Sequence, residues 1–118
     1  MIVISPPAKN YQAPQLLDDL GGGLTSGQVY KAMTDGIVNA WGTSGASTGF
    51  INSFVGATSN PTTGMGISGW TTGQGSFFVS FPVKKDYFWK ITLTGISPTL
   101  TDLVWTPDGP GIATPEKQ

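Results

Sequence analysis

Histidine, cysteine and arginine are all missing from the 118-residue chain. Without histidine or cysteine, no Ser–His or Cys–His nucleophile can be assembled, so the sequence argues against an enzyme. The lack of cysteine also removes disulfides and thiol chemistry and leaves the redox compartment open. Charge is scarce too: 11% of residues are charged, against about 25% in an ordinary globular protein. Six lysines and seven acids give a net charge of −1, so the clustered basic face of a nucleic-acid binder is not expected. No apolar run approaches the ~18 residues of a spanning helix, and "MIVISPPAKN" lacks the basic and apolar regions of a signal peptide. Membrane insertion is not expected. The acids are too scattered for an all-oxygen metal site, so neither metal nor cofactor is expected.

Glycine (17), proline (9) and the 25 serines and threonines are plentiful instead. A neutral, hydroxyl-rich surface of this kind is common in extracellular and virion-surface β proteins. The length suits one compact domain.

From Leu24 onward the signals are strand and turn. "QVYKA" and "IVNAW" flank "MTDG", where Asp35-Gly36 is a tight-turn pair, and together they read as a hairpin. The segment "YKAMTDGIVNAW" also fits a helix, but the β-branched pair after Asp35-Gly36 favours strand. "GFINSFVG" alternates, "GMGISGW" sets Met65 and Ile67 on one face, and "SFFVSFPV", "YFWKITL" and "TDLVWT" complete seven strands. Short strands with turn-rich spacing predict an all-β fold, an antiparallel β-sandwich of jelly-roll type. Residues 24–107 form this domain, and 108–118 read as a C-terminal tail. Residues 1–23 read as an extended arm: Pro6, Pro7 and Pro14 stiffen it, and Gly21-Gly22-Gly23 act as a hinge. Its apolar anchors, Ile2, Ile4, Tyr11, Leu16 and Leu17 among them, make it a candidate attachment segment.

Residues 76–95 hold six of the thirteen aromatics. The alternation of Phe77, Val79, Phe81 and Val83, then Tyr87, Trp89, Ile91 and Leu93, is that of two strands covering a core. Phe78, Phe88 and Lys90 fall on the opposite faces. Aromatics on both faces of a strand require a second buried surface, which a contact between subunits supplies. These three residues are the candidate oligomer interface.

Other candidates are weaker. Asp18-Asp19 reads as a solvated turn in the arm. Asp102 and Asp108 have the residue type of a glycosidase carboxylate pair, with nothing else converging on them. The glycines and "TSGQ" lack the G-x-x-x-x-G-K-[ST] spacing of a phosphate loop and read as linker. Trp41, Trp70 and Trp105 are candidate platforms for stacking on a sugar. Trp70, set among Gly and Thr, is the best placed for glycan contact, although an edge or interface role also fits it.

"LTSGQVYKAMTDGIVNAW" resembles the opening of small bacteriophage β-domains with a "G-x-x-Y-x-A-x-x-D-G-x-V" hairpin, through Gly27, Tyr30, Ala32, Asp35, Gly36 and Val38. "SFFVSFPVKKDYFWKIT" resembles their later "F-x-V-P-V-K-K-G-D-x-Y-x-V" strands, through Phe78, Pro82, Val83, Lys84, Lys85, Asp86 and Trp89. The usual Gly between Lys and Asp is absent here. "LVWTP" is similar to their last strand, and the likeness spans roughly residues 24–107. Such domains occur in tail-fibre tips, head fibres and capsid decorations. The resemblance implies a homotrimer of jelly-roll-like units, burying the second aromatic face around a threefold axis. It implies a virion-surface location, after synthesis in the host cytoplasm, and a capsid or other virion protein as partner. The expected function is that of a decoration or head-fibre protein held by its N-terminal arm. A tail-fibre tip that recognises bacterial surface glycans is the alternative, and a free soluble lectin the third.

Overall fold

The structure is a computed structural model that describes residues 13–17, 27–44, 49–70, 75–95, 98–109 and 111–118. These residues form nine strands: β1 (Gln15–Leu16), β2 (Val29–Lys31), β3 (Asp35–Ser44), β4 (Gly49–Gly56), β5 (Thr63–Trp70), β6 (Gly75–Val83), β7 (Phe88–Gly95), β8 (Pro98–Asp108) and β9 (Glu116–Lys117). The chain is all-β, with two antiparallel sheets packed as a sandwich. Sheet A has the order β1-β8-β3-β6 and sheet B the order β5-β4-β7-β2-β9.

The pairing is nested. β4 pairs with β5, β3 with β6, β2 with β7 and β1 with β8. Successive pairs alternate between the two sheets, and the lateral pairs β3·β8 and β4·β7 join them side by side. One long doubled ribbon wrapped in this way is a jelly roll, as the seven expected strands suggested. The two strands beyond those seven, β1 and β9, are two residues each.

Period two decides what each strand buries. In β6, Phe77, Val79, Phe81 and Val83 point inward, and Phe78, Ser80 and Pro82 point out. The core centres on aromatic rings from both sheets. Trp89 stacks on Tyr30 at 4.7 Å between centroids and on Trp105 at 6.1 Å, and meets Phe81 edge-on at 6.3 Å. The buried Trp105 Nε1 donates to the Ala113 carbonyl at 2.9 Å, whereas Trp89 Nε1 meets no acceptor among the described residues. Burying an unpaired donor costs about 1–3 kcal/mol. Three ring contacts at about 0.5–1.5 kcal/mol each are of the same size.

Several local expectations change. β2 and β3 lie in different sheets, so "QVYKAMTDGIVNAW" is not a hairpin, and Asp35-Gly36 begins β3 rather than turning the chain. Gly36 is there because the Trp105 indole and the Thr106 carbonyl occupy the space a Cβ would need. Likewise β6 and β7 face each other across the core instead of pairing, so "KKD" carries the chain from one sheet to the other. The crossing uses Asp86 at φ 71°. It is tied to the rest of the fold by Asp86 N–H donating to the Ala32 carbonyl and Lys85 N–H donating to Asp35 Oδ1.

Met65 and Ile67 do not share a face. The β4·β5 register shifts between Ser53 and Phe54, leaving Met65 opposite no residue while Ile67 pairs with Asn52 on the outer face. Leu17, expected in the arm, is buried in the core, and Leu16 next to it is in β1. The sandwich therefore includes residues before Leu24. The tail after Asp108 is built in as well: β9 pairs with β2, and Gln118 N–H donates to the Val29 carbonyl.

Candidate interaction surfaces

The outer face of sheet A presents an apolar stripe. Trp41 in β3 and Phe78 in β6 are cross-strand partners with ring centroids 5.1 Å apart, and they are 39% and 44% exposed. Ile37 in β3 and Leu16 in β1 extend the exposed apolar area along the same face. The β3·β8 register shifts beside Trp41, because Thr101 bulges between Leu100 and Asp102 and donates from Oγ1 to the Trp41 carbonyl at 3.1 Å. Bulges of this kind re-aim side chains. Here Thr101 and Asp102 come to line a depression of about 400 Å³ with Trp41, Thr43 and Ser76.

The outer face of sheet B is different in charge. Lys90 lies over the Phe54 ring at 5.4 Å and Lys31 over the Phe88 ring at 5.8 Å. The ammonium nitrogens themselves stand over the ring faces, in cation–π geometry. Ile67, 67% exposed, lies on this face beside a shallow depression of about 320 Å³ lined by Asn52 and Phe54.

At one end of the sandwich is a larger cleft of about 530 Å³, with Ile37, Val55, Met65 and Tyr87 supplying apolar walls. Asp35 and Asp108, direct partners in the β3·β8 ladder, and Lys84 stand at it. The two acids are far apart in sequence, so only the ladder reveals them as neighbours. Among the described residues no group of three or more acidic, histidine or cysteine side chains is placed to hold a metal ion.

The expected site residues disperse. Phe78 lies on the outer face of sheet A, and Phe88 and Lys90 on that of sheet B. Trp105 is buried at 0% exposure and cannot serve as a stacking platform; it faces inward on β8 with Leu103. Trp41 keeps the exposure that a platform needs. The Trp70 side chain, Ile2, Ile4, Tyr11 and Asp18-Asp19 lie outside the described residues. Asp102 and Asp108 sit six positions apart along β8, about 20 Å by the strand rise. That separation exceeds the roughly 5–9.5 Å of a glycosidase pair. Sequence reasoning named Trp41 and Phe78 separately and missed their pairing and the part played by Leu16.

Compared with known proteins, the chain matches no family model, no curated protein and no solved structure.

Proposed function

We propose that this chain is a non-enzymatic bacteriophage virion protein, a homotrimeric capsid decoration or head-fibre protein held to the particle through the segment preceding β1. The observation that carries the self-association is the Trp41–Phe78 pair, two large aromatics side by side on the open face of a sandwich. Exposed apolar stripes of this kind are characteristic of contact surfaces. The virion assignment rests on the sequence resemblance over residues 24–107, and the jelly-roll strand order agrees with it at the level of fold analogy. The location is the virion surface, and the partner is a capsid or other virion protein. Sedimentation equilibrium at micromolar concentration tests the assembly: a mass about three times the 12.3 kDa chain is expected, and a monomer mass overturns it. Co-purification with capsids rather than tails tests the location.

One observation favours the second reading, a glycan-recognising tail-fibre tip. The depression beside Trp41 combines an exposed indole with the hydroxyls of Thr43, Thr101 and Ser76 and the Asp102 carboxylate, the mixture that sugar binding uses. Quenching or shift of tryptophan fluorescence on titration with bacterial surface glycan, abolished by Trp41→Ala, would favour this reading. A trimer that buries Trp41 leaves no room for it.

A further inference from the structure

We infer that copies of this chain join head to tail, the outer face of sheet A on one copy meeting the outer face of sheet B on the next. The inference rests on the self-association proposed above and adds the identity of both halves of the contact.

The charges decide the pairing. On the outer face of sheet A the strands carry Asp35, Asp102 and Asp108 and no base, with Lys84 and Lys85 beyond the end of β6. On the outer face of sheet B they carry Lys31 and Lys90, and the one acid is Glu116 at the β9 edge. Packing sheet A on a second sheet A sets carboxylates against carboxylates, and packing sheet B on sheet B sets ammonium groups together. Only the mixed contact brings opposite signs across the interface. It also joins apolar surface to apolar surface: Trp41, Phe78 and Ile37 on one side, Ile67, Phe54 and Phe88 on the other.

The size is adequate. The strands of sheet A hold 2, 11, 10 and 9 residues, which at roughly 4.8 Å spacing and 3.4 Å rise make a face of about 500 Å² in projection. Side-chain relief adds to this, and a standard interface takes about 800 Å² from each partner. Symmetry sets a condition on the contact. A threefold ring uses unlike patches at every contact, whereas a self-complementary patch yields a twofold dimer. The two faces point to opposite sides of one sandwich. A flat contact between them therefore stacks copies in a line, and three copies close only where the contact wraps round an edge of each sandwich so that its two patches are inclined to each other.

Two double variants of the full chain test this by sedimentation. Trp41→Lys/Phe78→Lys puts positive charge on sheet A, and Lys31→Glu/Lys90→Glu puts negative charge on sheet B. Circular dichroism checks the fold, and Asp102→Lys replaces the first variant if it does not fold. Each variant alone should associate at least about 100-fold more weakly than wild type. An equimolar mixture should associate again, because the unaltered face of each variant meets that of the other and the altered faces also carry opposite signs. If the sheet B variant associates like wild type, sheet A pairs with itself and the inference fails. If the sheet A variant does so, sheet B pairs with itself, with the same consequence. A mixture that stays monomeric also overturns it. A monomeric wild type instead removes the self-association reading on which the inference rests.

Discussion

Gly36 lies flat against the indole of Trp105: a Cβ at position 36 would stand 2.5 Å from Trp105 Cη2 and 2.8 Å from the Thr106 carbonyl oxygen. Both neighbours are fixed, the first by core packing and by its bond to the Ala113 carbonyl, the second by the strand. Gly36→Ala should destabilise the chain by about 2–3 kcal/mol, as overpacking does, measured by urea denaturation. A loss under about 0.5 kcal/mol would show that the indole swings aside.

Truncation separates the core from the attachment segment. A chain beginning at Leu24 loses β1 and the buried Leu17, at a cost of about 2–5 kcal/mol for the leucine alone. A chain beginning at Ala13 keeps both and should melt within a few degrees of wild type. On the proposed function the Ala13 chain also loses attachment to the particle. Attachment at full strength would show that the sandwich itself does the holding.

The C-terminal strap should prove structural. A chain ending at Asp108 deprives the buried Trp105 Nε1 of its acceptor and strips β9 from β2. An unsatisfied buried donor alone costs about 1–3 kcal/mol. Gly111→Ala should reproduce part of the loss, because residue 111 has φ +129° and its Cβ would approach the Met33 carbonyl oxygen to 2.6 Å. Unchanged melting temperatures for both variants would reduce the strap to a surface decoration.

Burial raises the Tyr30 phenol above its usual value near 10. The folded state therefore holds this proton more tightly than the unfolded chain does. The contribution is intact below about pH 10, the unfolded value, and is lost as pH rises through the folded pKa. Wild type should lose stability more steeply than Tyr30→Phe above about pH 10, because the lysines titrate alike in both. Parallel stability curves for the two proteins would contradict this.

The positions of the seven longer strands could be read from the sequence, because a half-buried strand shows its two faces at period two. Phe77, Val79 and Phe81 against Phe78 and Ser80 show this clearly. Which strands lie side by side could not be read. Ladder partners such as Gln15 and Trp105 are joined by no local signal, and a glycine at a close approach looks the same as one in a turn, as Gly36 did. Two-residue strands such as β1 and β9 are too short to carry a period. The bulge at Met65 shifts the alternation by one residue, so Ile67 points the other way. The candidate surfaces were half legible for the same reason. Two-faced aromatic strands placed Phe78 and Phe88 away from the core, but the division of those residues between opposite sheets depends on the crossing at "KKD".

The nested pairing has a consequence for how the chain folds. Among the described residues β4·β5 is the one pair of consecutive strands in a ladder, and it closes a short loop; β3·β6, β2·β7 and β1·β8 each enclose the pair before. Loop closure costs more as the enclosed chain grows, so the ribbon should zip outward from the tip at residues 57–62. A topology with so many distant partners folds slowly. On the ribosome β1 must wait for β8, and Leu17 stays exposed until β8 has emerged.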